Sequence, residues 1–140
     1  MIVKISLIVS ILSFSLLSYA VDTPRGGDSP DAPNRTNAQN YKDKMLATCI
    51  AAAYKNDPNA IKDSSATASV LLEWTYYDME DSGEAMNNLI NKYLKRDYRN
   101  PLEGYEGVKF DLLKCLDMYH SKELDLQVKK YVLHPNKKGR

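Results

Sequence analysis

The feature that most constrains the fold is the helical spacing of the apolar residues. From Asn40, a good N-cap residue, to about Lys55, apolar side chains recur at every fourth position, which places them on one face of a helix. They are Tyr41, Met45, Cys49 and Ala53. No segment shows sustained alternation of apolar and polar residues, and Asn-Gly and Asp-Gly pairs, which are typical of β-hairpins, are absent from the sequence. The sequence therefore predicts an all-α fold.

Four more helices are predicted from capping residues, proline positions and apolar stripes. The second begins at Pro58 and continues into the aromatic residues that follow position 73. Asp78–Gly83 is acidic and ends in glycine, which is typical of a turn, and Asp97–Gly107 is the longest internal loop. The other three helices are predicted over 85–94, over 108–119, and from a Ser121 cap to a stop at Pro135. We expect a single domain of about five helices.

The three aromatic residues Trp74, Tyr76 and Tyr77 cannot all face one core, because consecutive residues of a helix point in different directions. One or two of them are expected to be exposed or to lie in a second interface. The alternative is a helix that is buried on several sides within the domain. The chain has ten tyrosines, and such a content fits an interaction surface, since tyrosine is enriched at interface centres.

The two cysteines, Cys49 and Cys115, fall on apolar stripes of the first and fourth predicted helices. Leu112 and Leu116 repeat at helical spacing with Cys115 and are expected to share its buried face. In an exported protein a single pair of cysteines most simply forms one disulfide. A zinc ion is the alternative, but it needs more ligands than two cysteines and two distant histidines readily offer.

The first twenty residues have the three parts of a cleavable signal peptide. Lys4 gives a positive start, Ile5–Leu17 is apolar and uncharged, and Ser18-Tyr19-Ala20 fits cleavage after Ala20. As a helix the apolar run spans roughly 20 Å, which is short for a bilayer core of about 30 Å. An uncleaved anchor is the alternative. We therefore expect an exported protein that is soluble after signal cleavage.

Three further ranges complete the predicted organisation: a flexible leader over 21–39, a helical domain over 40–135 and a basic tail over 136–140. The leader is rich in Asp, Pro, Gly, Asn and Arg, and contains too few apolar residues to offset its ordering entropy. Lys4 is the only charged residue of the signal, so the remaining 18 bases balance the 18 acids. That balance argues against a nucleic-acid partner.

The sequence shows neither a catalytic motif nor a metal site. A thiol hydrolase needs a cysteine beside a histidine, but Cys115 and His120 are five positions apart on one predicted helix and point away from each other. The acids between Asp78 and Glu84 do not have the alternating ligands and central glycine of a calcium loop. We therefore expect a binding protein with no catalytic residues, no metal and no cofactor.

Several segments together resemble a known family. They are Asn40–Lys55 with its Cys49, Leu71–Asp78, Asp97–Leu102 and Val108–Tyr131. The most specific part is Lys109–Leu124, with its Leu-Leu-Lys-Cys-Leu-Asp-Met-Tyr-His core. Across 41–135 the sequence resembles the immunity proteins of type VI secretion amidase effectors, and in particular the fourth amidase-immunity family of enterobacteria.

The resemblance implies an all-helical, periplasmic homodimer with no chemistry of its own. Its partner would be a cognate amidase, a Cys–His hydrolase that cuts the peptide cross-links of peptidoglycan. Each dimer would hold two amidase molecules in a heterotetramer. A protruding loop of the immunity protein would enter the substrate groove of the enzyme and block it.

Two segments are candidates for that loop. The first, which we favour, is acidic and compact and would suit a groove with basic surroundings. It consists of Asp78, Glu80, Asp81, Ser82, Gly83 and Glu84. The second, Asp97–Gly107, is longer and offers Tyr98, Arg99 and Tyr105. A periplasmic acid-stress chaperone is the alternative function, because such proteins are also small, helical and tied by one disulfide.

Overall fold

The computed structural model describes residues 27–99 and 103–138, so the predicted signal peptide lies outside the described residues. Within these ranges the chain forms helices and no strand, which confirms the all-α prediction. A 3-10 helix, Ala32–Asn34, precedes five α-helices. They are α1 (Asn37–Ala53), α2 (Pro58–Leu72), α3 (Met79–Leu94), α4 (Asp111–Tyr119) and α5 (Lys122–Tyr131).

Helix α1 begins three residues before the predicted Asn40. Thr36 and Gln39 form a capping box, in which the Thr36 hydroxyl accepts from the backbone N–H of Gln39 at 3.2 Å. The Gln39 side chain in turn accepts from the backbone N–H of Thr36 at 2.9 Å. This pattern, Thr followed three residues later by Gln, is a helix-start signal. Residues 37–39, which were predicted as part of the flexible leader, are therefore helical.

Helix α2 begins at the predicted Pro58 but ends before the aromatic residues that the prediction included. The Asp57 carboxylate caps it by accepting from two backbone N–H groups at 2.9 and 3.0 Å. At the other end the Thr75 hydroxyl donates to the Leu71 carbonyl at 2.6 Å. This bond satisfies one of the carbonyl groups left without a partner at a helix end, and α2 ends at Leu72.

After a turn at 73–74 the chain becomes extended and pairs with the residues that follow α5. Tyr77 and Val132 form an isolated antiparallel bridge. The N–H of Leu133 donates to the Tyr76 carbonyl at 2.9 Å, next to this bridge. Residues 76–78 are therefore held as a short extended connection and not as a continuation of α2.

The buried Asn37 joins this connection to the beginning of α1. Its Nδ2 donates to the carbonyls of Leu133 and His134 at 3.3 and 3.1 Å, and its Oδ1 accepts from the N–H of Tyr76 at 3.1 Å. We call these four residues the Asn37 clamp. Because buried polar groups are costly without partners, the clamp fixes the three segments relative to one another.

The last described residues run beside the start of α1. The backbone N–H groups of Asn37 and Ala38 donate to the carbonyls of Lys137 and Pro135 at 2.9 and 3.0 Å. These bonds supply partners for N–H groups that the first turn of a helix leaves unpaired. The two ends of the described domain are thereby held side by side.

Helix α4 begins at Asp111, three residues after the predicted start, and α5 begins after the predicted cap Ser121. Phe110 precedes α4 with φ +53°, in the left-handed region, which places residues 108–110 outside the helix. The Ser121 hydroxyl accepts from the N–H of Leu124 at 3.1 Å. A capping side chain thus marks the start of α5 but not of α4.

The core lies between α1 and the three helices α3, α4 and α5. The disulfide joins α1 to α4. Cys49 on α1 and Cys115 on α4 are bonded and fully buried, as predicted. Large buried side chains of all four helices surround the disulfide. They include Tyr41, Met45, Met86, Leu89, Ile90, Tyr93, Met118, Leu124 and Val128.

Candidate functional site

The first candidate segment is the beginning of α3 and not the predicted turn. The Asp78 carboxylate caps the helix by accepting from the N–H of Asp81 at 3.0 Å, and Gly83 lies inside the helix. Aspartate is a preferred cap, and Glu80 and Asp81 in the first turn interact favourably with the helix dipole. These effects outweigh the glycine that suggested a turn.

The six residues of this segment do not all face a partner. Glu80, Asp81 and Glu84 are exposed, and the other three are half-buried or, for Ser82, fully buried. The exposed acids form a charged surface on the first two turns of α3. Such a surface can contact basic groups, but it can enter a groove as a loop only if those turns unwind.

The second candidate segment forms a loop over its described residues, 97–99 and 103–107. We call residues 95–110, described at 95–99 and 103–110, the α3–α4 loop. Every residue from 103 to 109 is exposed, including Tyr105 (51%) and Val108 (48%). The Val108 N–H donates to the Tyr105 carbonyl at 3.2 Å. Gly104 and Gly107 have φ +88° and +81°, a conformation that favours glycine. The loop therefore presents Tyr105 on an exposed, hydrogen-bonded turn.

Tyr98 belongs to the base of the α3–α4 loop and not to its exposed part. It is half-buried, and its hydroxyl donates to the Asp117 carboxylate on α4. Burial and this hydrogen bond raise the pKa of Tyr98. The Arg96 guanidinium lies 3.6 Å from the ring centroid of Tyr93 and donates to the Tyr98 hydroxyl at 3.5 Å. Arg99, in contrast, is exposed.

An apolar groove of about 420 Å³ adjoins the loop. We call it the leucine groove. Its exposed apolar residues come from the end of α1, the end of the loop and the outer face of α4. They are Tyr54, Val108, Leu112, Leu113 and Leu116. These side chains leave a contiguous apolar surface in contact with solvent, which marks a candidate interface.

The leucine groove corrects the predicted face of α4. Lys114 and Met118 are buried beside Cys115, whereas Leu112 and Leu116 point outward. At 100° per residue, Leu112, Leu113 and Leu116 lie within about 100° of one another and form one face of α4, and Cys115 lies about 60° to one side of that face. The apolar pattern alone therefore favours burial of the leucines, whereas the structure buries the neighbouring side with Lys114 and Met118.

Contrary to the prediction, Trp74, Tyr76 and Tyr77 do not lie on a helix, but they do differ in exposure. Tyr77 packs edge-to-face on the buried Tyr41, with ring centroids 5.2 Å apart. Tyr76 is exposed, and Trp74 is half-buried beside Val70 in a second apolar groove of about 330 Å³. One aromatic ring thus joins the core, and two remain partly accessible.

The described residues offer limited chemistry. Both cysteines form the disulfide, so neither thiol is available as a nucleophile. Over 27–99 and 103–138, no three His, Cys, Asp or Glu residues are grouped as a metal site would require. None of the helices in these ranges is long and apolar enough to cross a bilayer. What the surface does offer is a protruding loop, an apolar groove and an acidic helix start.

Solved structures are similar to this chain, and two of them are described here. One belongs to a set described as new type VI-secreted toxins and self-resistance proteins in Serratia marcescens. It is 27% identical in sequence, and the superposition covers 81% of this chain and 94% of that chain with a TM-score of 0.67. The other is the effector–immunity system Tae4/Tai4 from Salmonella typhimurium, which is 25% identical, with a TM-score of 0.64 over 74% and 96%. A comparison with curated proteins gives no match.

The family comparison covers most of the helical domain. A model of Tai4, described as a type VI secretion system (T6SS) amidase immunity protein, matches residues 39–128. The matched region runs from the first turn of α1 into α5 and includes both cysteines and the α3–α4 loop. The chain therefore belongs to the Tai4 family of type VI secretion system amidase immunity proteins.

Proposed function

We propose that this protein binds and inhibits a cognate type VI secreted peptidoglycan amidase, and that the α3–α4 loop enters the active-site groove of that enzyme. The family match over residues 39–128 carries the proposal of an amidase partner. The geometry of the two candidate segments favours the loop over the start of α3. The chaperone alternative has no comparable observation in its favour.

The α3–α4 loop suits insertion because its described outer residues are exposed and its backbone is already turned. Tyr105 combines a large apolar ring with a hydroxyl, and Arg99 adds a positive charge. Tyrosine and arginine are among the residue types that most often dominate binding energy at interfaces. The exposed acids Glu80, Asp81 and Glu84 would then contribute, at most, at the edge of the interface.

Inhibition measurements with two variants test this assignment. We expect Arg99→Ala/Tyr105→Ala to raise the inhibition constant at least about 30-fold, the change that a loss of about 2 kcal/mol at a binding hot spot produces. Asp81→Lys/Glu84→Lys should change it less than about fivefold, because exposed charges at an interface edge contribute little. The reverse result would contradict the assignment of the α3–α4 loop and would favour the start of α3 as the inhibitory segment.

We also propose that the leucine groove joins two copies of this chain, so that each dimer holds two amidase molecules. A two-fold interface pairs the same surface of both copies, and apolar residues complement themselves. Leu113 lies in the groove and is 45% exposed. Leu113→Asp is therefore expected to give monomers in light scattering. Leu126→Asp, at an exposed position on α5, is the matched control and should leave dimers; a dimeric Leu113→Asp protein would contradict the assignment.

Finally, we propose that the protein acts in the periplasm after cleavage behind Ala20. The buried disulfide supports this location, because disulfides persist in oxidising compartments. Fractionation followed by intact-mass measurement should find a periplasmic product that begins at Val21. A product that keeps residues 1–20 would show that the segment is not cleaved.

A further inference from the structure

Lys114 is the only charged residue that is buried within the described parts of the chain, with 5% exposure. Lysine is almost never fully buried unless it is paired, since removing an ammonium group from water is costly. Here the Nζ atom lies 2.8 Å from Asp111 Oδ1 in the first turn of α4. It also donates to the Leu94 carbonyl at the end of α3, at 3.4 Å.

These two partners stand on opposite sides of the α3–α4 loop. Leu94 is the last residue of α3 before the loop, and Asp111 is the first residue of α4 after it. The Lys114 ammonium therefore bridges the ends of the loop directly. It also lies 5.9 Å from the ring centroid of Tyr98, whose hydroxyl donates to Asp117 on α4. The outgoing chain is thus held against α4, next to the first turn in which the returning chain ends.

We infer that Lys114 is a positioning residue, which closes the base of the α3–α4 loop and holds the loop in the conformation that binds the amidase. This inference rests on the proposed function of the loop. A loop whose ends are joined loses less conformational freedom on binding, so the bound conformation is more populated before the partner arrives. The proposed function does not otherwise account for a buried lysine.

Hydrogen exchange of the unbound protein tests the inference without the amidase. The amides to follow are those of Val108, bonded to Tyr105, and of Gly104, bonded to the Glu106 side chain at 3.1 Å. We expect Lys114→Met to speed their exchange about tenfold. The matched control is Lys92→Met, which removes an exposed lysine paired with Glu123 at 2.8 Å and should leave both amides unchanged. Unchanged exchange in Lys114→Met would overturn the inference.

Inhibition of the amidase provides the second measurement. We expect Lys114→Met to raise the inhibition constant about tenfold and Lys114→Arg, which keeps the charge and the donors, to restore most of the loss. If the Lys114→Met variant does not fold, the double variant Lys114→Met/Asp111→Asn is used in its place in the same measurements. The double variant removes both charges of the pair, so that no unpaired charge remains buried.

The results distinguish this inference from the proposed function. If Tyr105→Ala weakens inhibition and the Lys114 variants do not, the loop is inhibitory but Lys114 does not position it. If Tyr105→Ala and the Lys114 variants all leave inhibition unchanged while exchange is faster, the proposed role of the loop is wrong. The inference stands only when faster exchange, weaker inhibition and rescue by Lys114→Arg occur together.

Discussion

Replacing both cysteines with alanine is expected to lower the free energy of unfolding by about 4 kcal/mol. Cys49 and Cys115 are 66 positions apart, and the chain-entropy model gives about 4 kcal/mol for a loop of that length at 25 °C. Both side chains are fully buried, so the loss of two sulfur atoms adds a smaller packing term. Small domains have a free energy of unfolding of roughly 5–15 kcal/mol, so a loss of about 4 kcal/mol is a large fraction of it. Each kcal/mol shifts the melting temperature of a domain of this size by about 4–8 °C, so the melting temperature should fall by about 15–30 °C.

Urea denaturation provides the assay, followed by circular dichroism and by the fluorescence of Trp74, the single tryptophan of the chain. Four samples are compared: the natural sequence and Cys49→Ala/Cys115→Ala, each with and without reductant. Reductant should lower the free energy of unfolding of the natural sequence to nearly that of the variant, and it should leave the value of the variant unchanged. A difference below about 1 kcal/mol between the oxidised protein and the variant would refute the loop-entropy reasoning.

Three further predictions concern Asn37, Gly107 and the pair of tyrosines Tyr41 and Tyr77. Asn37→Ala removes three partly buried hydrogen bonds and should lower the free energy of unfolding in urea by about 3 kcal/mol, at about 1 kcal/mol per bond; a cost below about 1 kcal/mol would contradict the clamp. Gly107→Ala places a side chain at φ +81° and should cost about 1 kcal/mol or weaken inhibition by loosening the loop, and a variant unchanged in both measurements would count against it. Burial raises the pKa values of Tyr41 and Tyr77 above 10.0, so the unfolded chain loses protons that the folded chain keeps. Unfolding free energy should therefore fall as the pH rises above about 10, and a flat profile between pH 9 and 11 would contradict this reasoning.

The helical class and the disulfide could be predicted because the spacing of apolar residues depends mainly on local geometry. Tyr41, Met45 and Cys49 lie on one face of α1 and are all fully buried. The start of α2 could be predicted for the same reason, since Asp57 and Pro58 are local cap signals. In these cases the sequence pattern and the tertiary packing favour the same arrangement.

The candidate site was harder to predict, because competing signals are settled by distant contacts. Gly83 suggested a turn, but the Asp78 cap and the pairing of Asp78 with Tyr131 start a helix there. Lys114 is buried because Asp111, one turn before it, and the Leu94 carbonyl at the end of α3 supply partners for its charge. Neither partnership is visible in the periodicity of the sequence. The loop itself could be located, but not the packing at its base.

The backbone pairing between α1 and residues 135–137 has a consequence for how the chain matures. Synthesis delivers a protein from its amino end, so residues 37 and 38 leave the ribosome long before their partners Pro135 and Lys137. The start of α1 therefore completes its hydrogen bonds only after residues 135–137 have emerged. A chain that stops before residue 133 lacks those partners and the Asn37 clamp, and it should be cleaved faster by proteases.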